Sequence, residues 1–559
     1  MLRTPTTYCG VCRTQFDLII IGAGINGAGI ARDAALRGLN VLLLEKGDVG
    51  GGTSSASTRL IHGGLRYLEH GEFGLVRESL REREILLSIA PHLVRPLPIL
   101  IPIYEGAARG PWTIRAGMIA YDLLSRLSGS TSMPAPRMLS RTAALRHVRG
   151  LQSDGLRGAA LYCDAQVEFA ERLVLENVLA AKDSGATVST YARVDRLIVE
   201  NQEVCGVQYT DLATNEQHTA NSPVTINAAG PWVDQLAGAA GAKRLIGGTK
   251  GSHLVVAPFS GAPATALYAE AQLDRRPFFI IPWNGNYLIG TTDIRYEGDP
   301  GEAQIDEQEI EYLLSETNRV IPEAQLTRES ILFTYSGVRP LAYAKDQREQ
   351  SITRRHFIHD HSPRLGGFLS IVGGKLTTYR RLAEQAVNLV FKKLGRIDPG
   401  CSTDHSPLPG AVIPSEILAG LTDFRSLREQ FDRESGLPEF FTRRLVRIYG
   451  TRAWKVLQPA EAEPSLREVF SKETGAIAAE IVFSFQHELA QTLSDCLLRR
   501  TMIGFSATVG VGDDEAASRI AREHLGWSEE RAKREVAAYR KYVERYRTGS
   551  GSDRVALSS

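Results

Sequence analysis

The sequence predicts an α/β dinucleotide-binding domain of the Rossmann type, an inserted and mainly antiparallel second domain, and a C-terminal α-helical cap. Three observations predict it. The apolar run Phe16-Asp-Leu-Ile-Ile-Ile21 passes directly into Gly22-Ala-Gly24-Ile-Asn-Gly27. Pro277-Phe-Phe-Ile-Ile-Pro282 and Tyr287-Leu-Ile-Gly290 alternate as half-buried strands do. Beyond residue 413, helical periodicity dominates over 440–449, 478–500 and 515–546.

Residues 16–21 are short, β-branched and bounded by glycine, which predicts a buried parallel strand. Residues 28–37 are rich in alanine and closed by Gly38, which predicts a helix. A second strand follows over 40–44 and ends at Glu45. Together they form a βαβ unit of about 30 residues, the context the glycine fingerprint requires. Gly22 makes the tight turn, Gly24 lets backbone approach a pyrophosphate, and Gly27 lets helix and strand pack closely. Ile25 and Asn26 open the helix, whose N-terminus offers free N–H groups and partial positive charge to an anion. Glu45 stands where an acid accepts hydrogen bonds from a ribose, which disfavours a 2′-phosphate. NAD and FAD both remain open at this point.

Composition bounds the function. A chain of 559 residues has room for roughly three to four domains. Sixty-five basic and 64 acidic residues leave a net charge of +1, so no global nucleic-acid footprint exists. Six scattered cysteines fit a reducing compartment rather than a disulfide framework. Cys9 and Cys12 form a CxxC with no second pair, and read as part of an N-terminal extension rather than a metal site. His487-Glu488 opens a zinc-protease-like string, but Gln491 stands where the second histidine is needed, so no metal is expected. Neither a signal peptide nor a stretch of about 18 apolar residues is expected.

The string after Glu45 is Lys46-Gly-Asp-Val-Gly-Gly-Gly-Thr53-Ser54-Ser55-Ala-Ser57-Thr-Arg-Leu-Ile-His62-Gly63-Gly64-Leu-Arg66-Tyr67. It closely resembles the FAD-dependent, respiratory and quinone-linked glycerol-3-phosphate dehydrogenase family. Asn227-Ala-Ala-Gly-Pro-Trp-Val233, Lys250-Gly-Ser-His253, Ile289-Gly-Thr-Thr-Asp293, Tyr335-Ser-Gly-Val-Arg-Pro340 and Gly373-Gly-Lys-Leu-Thr-Thr-Tyr-Arg380 extend the resemblance, in order, from about Phe16 to Tyr546. The family usually carries paired acids near Gln166-Val-Glu168, where this chain has one, which leaves subgroup and acceptor open.

The resemblance implies FAD, and the residue types agree. Lys46 lies next to the ribose acid. Thr53, Ser54, Ser55 and Ser57 are small hydroxyl residues able to donate to a pyrophosphate, or to cap a helix. His62, Gly63 and Gly64 would set bare backbone against a flat ring. Val194, Ala229, Gly230 and Trp232 are expected on the flavin and adenosine side. Gly373, Gly374, Lys375, Leu376 and Thr377 follow an apolar strand over 368–372 and are expected to open a helix aimed at the flavin.

The implied reaction is hydride transfer from C2 of sn-glycerol 3-phosphate to flavin N5, giving dihydroxyacetone phosphate. A dianionic substrate calls for converging cations, and Arg66, Arg339, Arg354 and Lys375, with Tyr67 as hydroxyl donor, supply them. His62 and His253 are alternative bases for the hydroxyl proton, or histidines satisfied within the core. Arg339 also stands ready to stabilise alkoxide charge. The implied acceptor is a membrane quinone. Oxygen, as in the related oxidase, and a flavin-binding protein without turnover are the alternatives.

Membrane contact is expected over 98–104 and 111–127. The second segment mixes Trp112, Ile114, Met118, Ile119, Leu123 and Leu124 with Arg115 and Arg126, as an interfacial helix or a core helix does. The implied location is cytoplasmic, on the inner face of the plasma membrane, and a homodimer stays open. The FAD-binding domain is expected over 16–90, 160–245 and 345–395, and the substrate domain over 91–159 and 246–344. Residues 1–15 form an extension, 396–412 a linker, 413–546 a surface-facing helical cap and 547–559 a disordered tail.

Overall fold

The computed structural model describes residues 15–69, 71–129, 133–344, 354–413 and 424–547. Cys9, Cys12 and the stretch after Arg547 lie outside them.

The opening strand is Leu18–Ile21, wholly buried, and the helix begins at once at Ile25–Leu36. It starts three residues earlier than its alanine content predicts, because the glycine turn feeds it directly. Val41–Leu44 returns parallel beside the first strand. Six strands complete this sheet, in the order Phe357–Asp360, Phe368–Val372, Thr225–Asn227, Leu18–Ile21, Val41–Leu44, Thr187–Ser189. All neighbours are parallel except the first pair. Helices Ile25–Leu36, Ala170–Asp183 and Tyr379–Leu394 share one core with its strands. Crossover helices cover parallel sheets, and this explains the unbroken apolar runs in the strands.

A ten-stranded sheet holds Thr249–Val256, Asn286–Gly290, Pro277–Trp283, Ala266–Glu270, Val94–Tyr104 and Leu156–Val167 in adjacent places, and Ile331–Arg339 pairs on Thr249–Val256. It is antiparallel except where Ala266–Glu270 runs parallel to Val94–Tyr104. Leu156–Val167 crosses residue 160, so one strand straddles the segment boundary expected there. Leu60–Ile61 also joins this sheet, and thereby ties the loop after Glu45 to the second layer.

Residues 98–104 were expected at a membrane, and the structure corrects this. They are the middle of Val94–Tyr104, and Ile99, Leu100, Ile101 and Ile103 are buried in the sheet core. A central strand flanked on both edges reads as an apolar run, as a membrane-facing segment does.

The C-terminal region differs from expectation in detail. Residues 478–500 are not one helix. Ala478–His487 ends where Leu489 takes a left-handed conformation, and Thr492 caps a new start. Residues 515–546 break at Gly526, between Asp513–Leu525 and Glu529–Val543. Nor does this region merely face solvent: Ile520, Trp527, Tyr539 and Val543 are buried in a core continuous with the ten-stranded sheet. The segment 396–412 is strapped down rather than free. Asp398 accepts from Arg37 at 3.0 Å, Ser406 O accepts from Arg32 at 2.5 Å, and Leu408 is buried. Among the described residues no helix is long and apolar enough to cross a membrane.

Candidate active site

A cavity of 840 Å³ opens along the C-terminal ends of the parallel strands, the place where doubly wound sheets bind ligands. Its lining runs from Glu45, Lys46, Asp48, Tyr191 and Val194, past Gly22, Gly24, Ile25 and Asn26, to Gly373, Gly374, Lys375 and Leu376. Thr53, Ser54, Ser57, Ala229, Gly230 and Trp232 line it too.

Each local element explains its place. Gly22 sits at φ +100°, and a Cβ there would meet Ala228 O at 2.8 Å. A Cβ on Gly24 would meet only Ser54 Oγ at 3.4 Å, so this backbone faces open space. Gly27 packs against Gly22 and does not line the cavity. The N-cap of the Ile25–Leu36 helix is Gly24, which has no side chain to offer, and its first turn carries no acid. Its dipole is therefore left for an anion from outside. Ser54 Oγ accepts from Ile25 N at 3.0 Å, which fixes the hydroxyl loop over that helix end. Glu45 braces both sides of its turn, accepting from Ala23 N at 2.7 Å and Gly47 N at 2.9 Å. Lys46 Nζ stands 3.8 Å above the Trp232 ring.

The other hydroxyls divide. Thr53 Oγ1 donates to Val338 O at 2.7 Å, joining the loop to the second sheet. Ser55 turns back to Gly50 O and does not line the cavity. Ser57 Oγ accepts from Arg59 N at 3.2 Å.

At the opposite end the expected helix is absent over 373–378. Gly373 and Gly374 hold left-handed backbone at φ +75° and +100°, a turn follows, and Tyr379–Leu394 begins only afterwards. Asn26 Nδ2 donates to Gly373 O at 3.3 Å and so links the two glycine turns. Beside them His62 N donates to Thr377 Oγ1 at 3.2 Å, and Gly63 N donates to Tyr121 Oη at 3.0 Å. His62, Gly63, Gly64 and Thr377 thus form a layer next to the cavity rather than its lining.

Cations gather here. Arg339 donates to Asp293 Oδ1 at 3.0 Å and to Thr291 Oγ1 at 3.0 Å, and Arg354 donates to Asp293 Oδ2 at 2.8 Å. Arg354 Nη1 is buried with no hydrogen-bond partner among the described residues. Lys375 Nζ is likewise buried without one, 3.7 Å over the Tyr67 ring. Burial pushes the Lys375 ammonium down to about 7, with Arg354 adding to the effect against Glu72 and Glu78. Arg66 lies in the short helix Arg66–Glu69, and its side chain lies outside the described residues.

The two histidines differ. Burial holds His62 at about 4, with Lys375 and Arg83 lowering it further against Asp164. His253 is enclosed: Nε2 meets Thr58 Oγ1 at 2.9 Å and the ring stacks on Tyr335 at 4.8 Å. Burial, then Arg339 and Arg59, drive it well below the ordinary imidazole range.

Sequence reasoning did not single out Asp293, although it ends a quoted motif. Burial raises its carboxyl, but Arg339 and Arg354 outweigh burial and hold it below the usual carboxylate range. Nor did it find the C-terminal residues of the cavity wall, Thr492, Ser494, Arg499, Glu535, Ala538 and Tyr542. Sequence distance gave no signal for them. Near residue 166, where the family usually carries paired acids and this chain has one, Glu168 pairs with Arg447; close by, Asp164 takes Arg83 at 2.6 Å, and Glu171 takes Arg59 with two bonds of 2.8 Å.

Comparison with known proteins fits this geometry. A family model described as FAD dependent oxidoreductase matches residues 17–380, and the C-terminal domain of alpha-glycerophosphate oxidase matches 401–532. A glycerol-3-phosphate dehydrogenase of Synechocystis sp. is 46% identical over 95% of this chain and 97% of its own length. The chain belongs to the FAD-dependent glycerol-3-phosphate dehydrogenase family. An aerobic glycerol-3-phosphate dehydrogenase of Staphylococcus aureus is 34% identical, covering 87% of this chain and 86% of its own. The FAD complex of the Bacillus halodurans glycerol-3-phosphate dehydrogenase superposes with a TM-score of 0.76, at 28% identity, covering 96% of this chain and 95% of that one. The family's cofactor is FAD, and the residues fit it. The bare Gly24 backbone, the helix end without an acid in its first turn and the size of the cavity suit a dinucleotide. The buried unpartnered Lys375 suits negative charge on a reduced ring.

Proposed function

We propose that this chain oxidises sn-glycerol 3-phosphate to dihydroxyacetone phosphate and delivers the electrons to a membrane quinone. The observation that carries the reading is the half-satisfied cation group. Arg339 and Arg354 share one carboxylate, while Lys375 Nζ and Arg354 Nη1 stay buried without hydrogen-bond partners among the described residues. Unpaired buried polar groups are costly, and a phosphate dianion would satisfy them.

Bound FAD supplies the acceptor for the hydride leaving C2. Arg339, Arg354 and Lys375 hold the phosphate, with Tyr67 beside Lys375; Arg66 joins them by family resemblance alone. His62 accepts the C2 hydroxyl proton at its imidazole. It is neutral at working pH because burial holds it near 4. A weak base suffices, since the hydroxyl becomes strongly acidic as the hydride leaves. His253 serves as packing behind Arg339, its ring held by Thr58 and Tyr335. In this reading the residues lining the cavity hold FAD, and the ten-stranded sheet presents the substrate.

Helix Pro111–Leu127 supports membrane contact. Ile114, Met118 and Tyr121 face the core, while Trp112, Ile119, Leu123 and Leu127 stand outward at 78, 62, 57 and 62% exposure. Arg115 and Arg126 flank that face, as in an interfacial helix. We place the protein peripherally on the inner face of the plasma membrane.

An anaerobic spectrum tests the chemistry. The yellow protein should bleach on adding glycerol 3-phosphate, and a flavin that stays oxidised would overturn the substrate. Reoxidation by a soluble quinone should then outpace reoxidation by oxygen; the reverse would make it an oxidase. Ile119→Glu with Leu123→Glu should abolish sedimentation with anionic vesicles and leave turnover with a soluble quinone unchanged.

A further inference from the structure

The cavity wall draws on a part of the chain that lies more than a hundred residues beyond its last glycine turn. Thr492, Ser494 and Arg499 face it from one segment, and Glu535, Ala538 and Tyr542 from helix Glu529–Val543. The last three lie beyond both matched family models. We propose that the C-terminal domain forms the outer wall of the adenosine half of the FAD site, so that retention of FAD depends on that domain staying docked.

Its place follows from its partners. Asp48 lies three residues after the ribose acid Glu45 and lines the same cavity. Its carboxylate takes Arg500 with bonds of 2.8 and 2.6 Å and takes Arg499 as well. Arg499 also donates to Asp495 Oδ1 at 2.9 Å. Tyr191 Oη reaches the same Asp495 at 2.7 Å, and the residues after Tyr191, Ala192 to Asp195, line the cavity. The helix Glu529–Val543 is tied in through Glu535, which accepts from Leu493 N at 3.0 Å. The contacts that cross to the dinucleotide domain, Asp48 with Arg499 and Arg500 and Tyr191 with Asp495, are made to the segments after Glu45 and around Tyr191, and among the described residues none of these partners reaches Gly373 or Lys375. The wall therefore stands at the ribose and adenine end. Asp48, Asp495, Arg499 and Arg500 are all buried, and buried charges of this kind hold only while every partner is present. The domain is thus latched to the loops that follow the second strand of the parallel sheet and its neighbour Thr187–Ser189, beside the residues there that line the cavity.

Release of FAD from the holoenzyme tests this, and does so independently of the substrate. Ser494→Trp and Ala538→Trp each put a large ring into the wall without touching the ion network. Ala538 is exposed on its helix, so that variant leaves the fold intact. After dilution, the rise in flavin fluorescence should be at least tenfold faster for both than for the parent. The bound flavin's visible spectrum and the protein's circular dichroism should stay unchanged. A variant that purifies folded but colourless has the same meaning. Hydrogen exchange over 493–495 and 529–543 should also slow when FAD is present. Unchanged release in both variants, or an altered flavin spectrum placing the wall against the ring, would overturn the proposal.

Discussion

Two ion networks flank the cavity, and they are built in opposite ways. At the Glu45 end, Asp48, Asp495, Arg499 and Arg500 are matched two against two, with backbone N–H groups of Gln491 and Thr492 closing on Asp495 at 2.9 Å. At the Gly373 end, Asp293 pairs with both Arg339 and Arg354, and Lys375 Nζ lies over the Tyr67 ring with no hydrogen-bond partner among the described residues. A matched network stabilises a docked arrangement. A cation-rich one raises the free energy of the empty protein and lowers it again when an anion arrives. In the proposed reading the same residue types therefore serve architecture in one place and binding in the other. The difference lies in whether the charged groups find hydrogen-bond partners: Lys375 Nζ and Arg354 Nη1 find none among the described residues.

The largest effect that would break this comparison is loss of Arg339. Arg339→Ala should lower kcat/KM roughly a thousandfold, as expected for a buried charge partner of a dianion. It should leave the flavin spectrum intact. Steady-state kinetics with the visible spectrum check both, and unaltered turnover would remove Arg339 from the site.

Asp48→Asn should do the reverse. It leaves two buried guanidiniums facing a neutral amide, and should cost about 3 kcal/mol in denaturant unfolding. The folded-state carboxyl lies below its ordinary value: Arg500 and Arg499 outweigh the burial that would raise it. Its stabilisation is therefore present above the ordinary aspartate pKa and lost as pH falls through the folded value. The gap between parent and variant should narrow in acid. A gap that widens there would contradict the ion pairing.

Lys375→Met sharpens the contrast through a gain. The ammonium is held at about 7 in the fold, against about 10.4 in an unfolded chain. The unfolded state thus binds more protons between those values, and stability from this group rises with pH across that window. Replacement should stabilise the substrate-free protein by roughly 2 kcal/mol near pH 7. That gain should shrink as pH approaches the unfolded value. The Michaelis constant for glycerol 3-phosphate should rise at least tenfold. Thermal unfolding at several pH values, beside kinetics, reads both. A variant less stable than its parent would mean that Lys375 is satisfied in the fold.

The smallest effect is expected for Tyr191→Phe. It removes one hydrogen bond to Asp495 and should cost about 1 kcal/mol of stability. Turnover with FAD in excess should not change.

Much of the first βαβ unit was legible because it is local. Gly22 and Gly27 serve one tight turn whose backbone closes on itself, Gly27 against Gly22, and the strands on either side carry buried, uninterrupted apolar runs. Local reading fails where one pattern suits two environments. Residues 98–104 look alike as a membrane surface and as the centre of a wide sheet, and only the neighbours on each edge decide. Helix Pro111–Leu127 shows the intermediate case. Its amphipathic pattern foretold two faces, but which of its apolar residues turn inward depends on packing against the Phe73–Ile89 helix and the sheet. Gly373 and Gly374 were read as the opening of a helix. Their left-handed backbone instead delays it to Tyr379.

By itself, then, the sequence determined the dinucleotide fold, since short-range sterics dictate it, while FAD followed from the resemblance of its motifs to a known family. Tertiary structure alone decided how the charges are matched. It gave Asp293 two arginines, left Lys375 without a hydrogen-bond partner among the described residues, and brought Arg499 and Arg500 to Asp48 across some 450 residues of chain. The physical reason is that pairing and desolvation depend on distance in space, and nothing in a string of residues records which distant charges the fold will set side by side.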